Sequence, residues 1–371
     1  NSLMGKYTAI DDPSAYFQTA IWTGDGSHSS DRNITNTGNS DLQPDLIWGL
    51  CRSHVQHKSL TDSSRGFSTG NKEIISNFNN KEGDTNAVNS GGYGWLGPSL
   101  TDGFESSVGS VNNGYWNVSA RTYAAWQWKA NGGTTSSNTD GNITSTVQVN
   151  TTSGFSIVTY TGNGSDNQTI GHGLGVTPTW WVVKRRDSTS SWNMGCSLGF
   201  WGGTSNYMLL NATNANEQVT NIWGDSPPNS TTIRVKNDAE LNASGGTYVA
   251  YVFANKQGFQ KSGSYKGNGN ANGTFVYTGF KPAWVMVKRN DAANSWLVMD
   301  NQRGINGATP RAYIHETDAD GSAGDYIDFL GNGFKIRTSA ASMNANNGVY
   351  FYVAFAENPL VTSTGIMGTA R

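Results

Sequence analysis

One pattern of residues recurs along the chain, and it constrains the fold more than any other feature of the sequence. At Pro178 the pattern begins with the run TWWVVKRR, and a polar turn then leads to Trp192. At Pro282 it begins again with AWVMVKR, and a second polar turn leads to Trp296. The tryptophan lies 14 residues after the proline in both copies. A repeat of this length predicts that one supersecondary unit is built more than once.

A third, more divergent copy lies nearer the N-terminus. Pro44 introduces DLIWGLCRS at the position of the two runs described above. Each copy also follows a break of the form Gly-x-Gly, at residues 24–26, 162–164 and 267–269. An Asp-x-x-Arg-Gly sequence recurs in the first and third copies, at 62–66 and 300–304. These recurrences predict three copies of one unit.

The residues between these landmarks favour β-strands. Short apolar runs alternate with turns rich in Gly, Asn, Ser and Thr, and each copy ends with its most apolar run. Near-continuous apolar runs are typical of central strands covered on both faces. We therefore predict an all-β protein of three tandem β-sandwich modules of the jelly-roll or lectin-like kind. The predicted segments are an N-terminal arm (1–15), module 1 (16–130), a Ser/Thr/Asn/Gly linker (131–153), module 2 (154–257), module 3 (258–360) and a C-terminal tail (361–371).

Composition limits the classes of partner. Charged residues make up 14% of the chain and the net charge is −2, so the clustered Lys and Arg that nucleic acids require are not indicated. The many aromatic residues, 13 Trp, 15 Tyr and 14 Phe, argue against disorder. No apolar run approaches the roughly 18–20 residues of a transmembrane helix, so membrane insertion is not expected. Cys51 and Cys196 occupy non-equivalent positions in different copies, and we expect no disulfide between them.

Several long strings resemble a known family. YFQTAIWTGDGS at 16–27, GHGLGVTPTWWVVKRR at 171–186 and YVAFAENPLVTSTGI at 352–366 resemble repeat-domain virion proteins of tailed phages that infect marine bacteria. The resemblance covers nearly the whole chain from Asp11 onward, and the region 89–98 departs from it. It implies a tail-fibre-like or structural protein on the virion surface, made in the cytoplasm of the host bacterium. It also implies other virion proteins as partners and a homo-oligomer, with a trimer as the order common among fibres.

Strings that could support catalysis or metal binding are better explained by structure. Gly195–Gly199 has the form Gly-x-Ser-x-Gly, but the residues that follow do not begin the helix that a nucleophile elbow needs. His172 lies in a turn before Pro178, where we expect a local hydrogen-bonding role. The aspartates of TDADGSAGD, at 317–325, lack the spacing and the closing Glu of an EF-hand. We therefore expect no catalytic residues, no metal site and no cofactor.

Aromatic and basic residues are the candidates for ligand binding. Most tryptophans are expected in the core, but those in loops rich in Gly and Asn are expected to be exposed contacts. Basic residues at the strand ends either protect edge strands or bind an anionic glycan or a neighbouring subunit. The predicted ligand-binding residues are Tyr93, Trp95, Trp201, Trp223, Lys184 and Arg186.

These observations favour a non-enzymatic virion structural protein, fibre-like or spike-like, that attaches to a host surface glycan or protein. Repetition lets weak contacts add, so a modest affinity at each site suffices for adhesion. Two alternatives stay open. A capsid-decoration or connector protein would bind other virion subunits, and a virion-borne enzyme would act on host polysaccharide. The scattered glutamates offer no repeated carboxylate pair for glycoside hydrolysis.

Overall fold

The computed structural model of the chain describes residues 7–27, 32–67, 72–83, 94–109, 114–197 and 205–368. Nearly all of its regular structure is β-strand, 42% against 3% helix, which confirms the all-β prediction. The helices are a 3₁₀ turn at Pro13–Ala15 and two four-residue helices, α1 (Ala239–Asn242) and α2 (Ala341–Asn344). No helix in the described ranges is long and apolar enough to cross a membrane.

The strands are short and follow one another through turns. Those before residue 130 are β1 (Phe17–Thr23), β2 (Arg32–Ile34), β3 (Leu46–Cys51), β4 (Ser59–Asp62), β5 (Ile74–Ile75), β6 (Gly94–Ser99), β7 (Phe104–Val108) and β8 (Thr122–Trp128). The next are β9 (Ser136–Asn138), β10 (Ser145–Asn150), β11 (Phe155–Thr161), β12 (Gln168–Gly171), β13 (Trp180–Arg185), β14 (Trp192–Cys196), β15 (Ser205–Leu209), β16 (Glu217–Val219), β17 (Thr232–Val235) and β18 (Thr247–Phe253). The last are β19 (Gln260–Lys266), β20 (Phe275–Tyr277), β21 (Phe280–Arg289), β22 (Trp296–Asp300), β23 (Ala312–Tyr313), β24 (Ile327–Leu330), β25 (Gly333–Ile336) and β26 (Val349–Pro359).

Three sheets share one strand order. The first large sheet runs β1-β8-β3-β4-β5, and the third runs β19-β26-β21-β22-β23. The second large sheet contains the equivalent run β11-β18-β13-β14-β15, with β10 and β9 added beside β11 and β16 added beside β15. Three small sheets accompany them, β2-β7-β6, β12-β17 and β20-β25-β24. The repeat in the sequence is therefore also a repeat in sheet topology.

The large sheets meet in one common core. In that core Phe17 of the first large sheet stacks on Phe355 of the third, with ring centroids 5.0 Å apart. Trp128 of the first meets Phe253 of the second at 6.4 Å and Trp284 of the third at 6.0 Å. The opposite faces pack on the small sheets, because successive side chains along a strand point to opposite faces. The repeats therefore share one core, and the first and second large sheets each have a further core against a small sheet.

Loops at the rim connect neighbouring large sheets in a cycle. In each repeat, the strand at the repeated proline (β3, β13 or β21) is followed by a loop. A backbone N–H in that loop donates to a carbonyl of another repeat at 2.8 Å. The three bonds are Gln56 N to Thr317 O, Ser190 N to Asn79 O and Asn294 N to Thr213 O. They link the first repeat to the third, the second to the first and the third to the second. The three large sheets thus form a closed ring within a single chain.

The Gly-x-Gly breaks are required by a close approach of the backbone. A Cβ on Gly162 would lie 2.4 Å from the carbonyl oxygen of Ala243. The buried Asn242 fixes this turn, because its Nδ2 donates to Ser165 O at 2.7 Å and its Oδ1 accepts from Asn163 N at 2.8 Å. Equivalent contacts occur at Gly24 with Asn117 and at Gly267 with Asn344. The breaks therefore belong to the scaffold.

The Asp-x-x-Arg-Gly sequence forms a buried ion pair between large sheets. Arg65 donates from Nε to Asp62 at 2.5 Å, and both side chains are fully buried. The hydroxyl of Tyr251, in the second large sheet, donates to the same carboxylate at 2.7 Å. The third repeat has the same arrangement, with Arg303, Asp300 and Trp126. Such groups tolerate burial because each charge is paired and hydrogen-bonded.

Residues 131–153, expected to be a linker, form part of the second large sheet. β10 pairs antiparallel with β11 over six residues, from Ser145 opposite Tyr160 to Asn150 opposite Phe155, and β9 pairs with β10. The polar composition suits a hairpin at the edge of a sheet, where one side meets water. The segment is therefore an ordered part of the sheet and not a flexible spacer.

Two smaller expectations can also be compared with the structure. Cys51 and Cys196 are both buried and are not joined by a disulfide, as expected. In the predicted C-terminal tail, Ser363 N donates to Asp11 Oδ1 at 2.6 Å. This bond ties the described part of the tail to the N-terminal arm.

Candidate functional site

Four of the six predicted ligand-binding residues lie in the described ranges, and two of these are tryptophans that prove to be buried. Trp95 in β6 is 9% exposed and Trp223 is 1% exposed. Trp223 packs edge-on against Trp181, with ring centroids 5.3 Å apart, where a small sheet covers the second large sheet. The expected exposure is wrong for both, because Trp95 belongs to a strand of a small sheet and not to a loop, and the segment around Trp223 packs on the second large sheet. Tyr93 and Trp201 lie outside the described residues.

The two predicted basic residues bind within the chain. Lys184 is fully buried, and its Nζ donates to the carbonyls of Arg185 at 2.9 Å and Asn79 at 3.4 Å. Burial lowers the pKa of Lys184 to about 7. Arg186 pairs with Glu82, Nε to Oε2 at 2.8 Å. Both side chains therefore join the second repeat to the first and are not available to an external ligand.

The strings that resemble catalytic or metal-binding motifs have structural partners. Ser197 Oγ donates to Thr179 O at 3.3 Å. His172 is buried and makes the local hydrogen bonds expected of it, with Leu174 N and Asn229 O both at 3.2 Å. Asp320 pairs with two arginines, Arg52 at 3.0 Å and Arg303 at 2.7 Å. No group of three or more His, Cys, Asp or Glu that could hold a metal ion occurs among the described residues.

A cleft beside the third large sheet is the strongest candidate for a binding site. It has two adjoining parts, of about 330 and about 250 Å³, which share Tyr7, Lys256 and Gln257. The larger part is also lined by Lys261 and Tyr277. Pockets of roughly 300–1,000 Å³ accommodate small ligands. We call this the tyrosine–lysine cleft.

The aromatic wall of the cleft consists of Tyr7 and Tyr277, and alternation along β20 turns Tyr277 outward. Phe275 and Tyr277 are 43% and 49% exposed, whereas Val276 between them is buried. Val276 faces the core, so the pleat of the strand turns both aromatic rings outward. Tyr7, from the N-terminal arm, donates its hydroxyl to Gly279 O at 2.7 Å. Burial, together with its hydrogen bond to Tyr277, raises the pKa of Tyr7 to about 12, so this phenol is neutral near pH 7.

The cationic wall consists of two lysines. Lys261 Nζ donates to Tyr277 O at 2.9 Å and lies 5.1 Å from the centroid of that tyrosine ring, in cation–π distance. Burial lowers the pKa of Lys256. Neither ammonium forms an ion pair with a carboxylate in the part of the chain that the structure describes. Both are therefore available to an anionic ligand.

The remaining lining suits binding and offers no acid–base chemistry. The exposed Gln257 lines both parts of the cleft, where its amide can donate to or accept from a polar ligand. The amides of Asn255 and Gln260, which line the larger part, are hydrogen-bonded within the chain. Among the described residues, the lining of either part includes no carboxylate and no histidine. Hydrolysis of a glycosidic bond uses two such carboxylates. The arrangement fits a polar, negatively charged ligand with faces that can stack on tyrosine.

Comparison with known proteins identifies the family. The model of a family described as a domain of unknown function (DUF7483) matches residues 12–359. The chain belongs to the DUF7483 family. The DUF7483 match spans every strand from β1 to β26 and includes Lys256, Lys261 and Tyr277 of the cleft, whereas Tyr7 lies outside it. No curated protein and no solved structure matches the chain.

Proposed function

We propose that this chain is a non-enzymatic structural protein on the surface of a phage virion, and that its tyrosine–lysine cleft binds a negatively charged glycan on the host. The observation that carries the proposal is the pair of lysines without carboxylate partners beside the exposed ring of Tyr277. An aromatic ring offers a face for the apolar side of a sugar, and the ammonium groups attract its acidic substituents. The resemblance of the sequence to virion proteins of marine phages supplies the biological setting.

The fold supports a durable, displayed protein. One chain supplies all three large sheets, so the common core forms without a second copy. The low charge and polar turns suit a particle surface. Other virion proteins are the expected anchoring partners, and synthesis in the bacterial cytoplasm precedes assembly.

Binding to purified polysaccharides tests this proposal. We expect the protein to bind acidic polysaccharides in preference to neutral ones, and the affinity to fall as ionic strength rises, because salt screens exposed charges. The variants Lys261→Met and Tyr277→Ala should each weaken binding at least about tenfold. Lys266→Met is the matched control, since Lys266 lies exposed on the same strand but does not line the cleft.

Two outcomes would contradict the proposal. Equal affinity of the Lys261→Met, Tyr277→Ala and Lys266→Met proteins would remove the cleft from any role in attachment. Release of reducing sugars from host polysaccharide would instead favour a virion-borne enzyme. Localisation in intact virions by labelled antibody checks the setting, and label on capsomers would favour a decoration protein. That second candidate is supported by the position of β1 at the edge of its sheet, where another virion subunit could pair with it.

A further inference from the structure

The first strands of the three large sheets, β1, β11 and β19, occupy equivalent places but differ in what lies beside them. β1 and β19 lie at the edges of their sheets, whereas β11 is covered by β10. The registers make the three strands comparable, because Phe17, Phe155 and Gln260 each lie opposite the aromatic residue near the end of the central strand. The strand that covers β11, β10, therefore indicates what kind of strand the equivalent edges of β1 and β19 can accept.

β10 fills a slot between the second large sheet and the end of the first. Its Gln148 is fully buried, and the Nε2 donates to the hydroxyls of Ser63 at 2.9 Å and Ser64 at 2.7 Å. The Oε1 of Gln148 accepts from Gly133 N at 2.9 Å. Asn150 Nδ2 donates to Ala130 O at 3.0 Å. An uncharged strand with an amide side chain thus fits this slot.

The edge of β19 is capped by other means. Gln260 exchanges two backbone hydrogen bonds of 3.0 Å with Lys256. Ser262 N donates to the side-chain oxygen of Asn255 at 2.8 Å, so an amide side chain replaces a neighbouring strand. Thr274 Oγ1 donates to Lys266 O at 2.7 Å. These caps occupy most of the hydrogen-bonding positions that a new strand would need.

The edge of β1 has no such cap over its centre. Tyr16 O accepts from Lys129 N at 3.0 Å, so Tyr16 faces β8, and alternation turns the backbone groups of Phe17, Thr19 and Ile21 away from it. No hydrogen bond from the described part of the chain reaches these outward groups. Thr19 is 8% exposed, yet its buried Oγ1 finds no partner among the described residues, and the neighbouring Ile21 is 44% exposed.

A groove of about 200 Å³ lies beside this edge, at the place that corresponds to the β10 slot. One wall includes Asn301 and Gln302, which follow Pro282 at the same distances as Ser63 and Ser64 follow Pro44. Residues 356–358 of β26 also line it, and they follow Phe355 as 129–131 follow the equivalent Trp128. The carboxylate in the lining, Glu357, is paired with Lys281 at 3.0 Å. The groove is therefore polar and nearly neutral.

We infer that the β1 edge and this groove accept one extended strand of a different polypeptide, added antiparallel to β1. The strand resembles β10: it is uncharged, alternates apolar and polar residues, and places a Gln or Asn side chain against Asn301 and Gln302. Addition of a strand to an open edge supplies backbone hydrogen bonds, and the groove selects the side chain. The occupant is not a second copy of this chain, because in the described ranges the strand of this type, β10, already pairs with β11.

A peptide with the sequence of residues 143–152, ITSTVQVNTT, is the probe. We expect the labelled peptide to bind the intact protein in fluorescence anisotropy and to slow hydrogen exchange at the amides of Thr19 and Ile21. Proline has no N–H and is tolerated at outward positions of an edge strand. Ile21→Pro should therefore weaken binding at least tenfold, whereas Ser264→Pro, at the equivalent position of β19, should leave it unchanged. In the peptide, Gln148→Leu should also weaken binding at least tenfold, and this change cannot affect folding of the protein.

Four results would overturn the inference. They are no binding of the peptide at millimolar concentration, equal binding to the Ile21→Pro and Ser264→Pro proteins, equal binding of the Gln148→Leu peptide, and slowed exchange at β19 in place of β1. Self-association that depends on protein concentration and disappears in Ile21→Pro would assign the edge to a second copy. Competition for the groove by an oligosaccharide, with no effect of the peptide, would assign it to a sugar. Failure of the peptide test leaves the glycan proposal intact, since the tyrosine–lysine cleft is a separate site.

Discussion

The substitution Asp62→Asn tests whether the buried ion pair holds the first and second large sheets together. The carboxylate of Asp62 accepts from Arg65 Nε at 2.5 Å, from Arg65 N at 2.9 Å and from the Tyr251 hydroxyl at 2.7 Å. Asparagine keeps the volume but removes the charge, so the fully buried Arg65 keeps one carboxylate, Glu82, at 2.9 Å. Breaking a buried pair costs roughly 3–5 kcal/mol, and because Glu82 remains we expect a loss of about 3 kcal/mol.

Urea denaturation followed by tryptophan fluorescence measures this loss. Asp291→Asn is the matched control, because the Arg289–Asp291 pair at 2.8 Å is exposed and should contribute less than about 1 kcal/mol. A third protein, Asp62→Cys with Arg65→Met and Tyr251→Phe, removes the charges together and should lose less than Asp62→Asn does. If Asp62→Asn costs no more than Asp291→Asn, the pair does not stabilise this interface and the reasoning fails.

Three other sets of contacts can be tested by truncation or substitution. A chain of residues 154–371 lacks Phe17 and Trp128, so one side of the common core is exposed to water, and we expect no cooperative thermal transition in circular dichroism. A sharp transition would show that the second and third large sheets fold without the first. Asn242→Ala leaves the amide of Asn163 without its acceptor and should cost roughly 1–3 kcal/mol in urea denaturation, against a smaller loss for a substitution at the exposed Asn163 side chain. Burial lowers the pKa of Lys184 from 10.5 to about 7, so the unfolded state binds more protons between these pH values and the free energy of unfolding rises with pH across that window. Lys184→Met should reduce the slope of the free energy of unfolding against pH, and an unchanged slope would contradict the lowered pKa of Lys184.

The sequence predicted the local framework well, because that framework depends on contacts within one repeat. The Gly-x-Gly breaks recur because a Cβ on Gly162 would lie 2.4 Å from a backbone oxygen, and each copy makes an equivalent close approach. Alternation also predicted strands correctly. In the run Phe-Val-Tyr at 275–277, the period of a strand places the two aromatic residues on one face, but the sequence does not show that this face is the exposed one.

Contacts between repeats were not predictable from local patterns. Phe17 and Trp128 look like residues of an ordinary sandwich interior, and nothing near them in the sequence shows that they face another repeat. Lys184 was expected to face outward because of its charge, yet carbonyls contributed partly by another repeat, such as Asn79 O, accept from its ammonium. Tyr7 reaches Gly279, 272 residues away, so the cleft could not be assembled from sequence spacing.

The ring has threefold topology without threefold identity, and this asymmetry determines its valency. In a ring of three identical chains, the three first strands would all be covered, all capped or all open. Here β10 covers β11, Asn255 caps β19, and β1 is the strand left open in the described part of the chain. Under the strand addition proposed above, the three first strands therefore offer one position in the described part of the chain, at β1, and pairing at that position is one-to-one. Because the core is closed within one chain, this valency also persists on dilution, when a ring of separate subunits would fall apart.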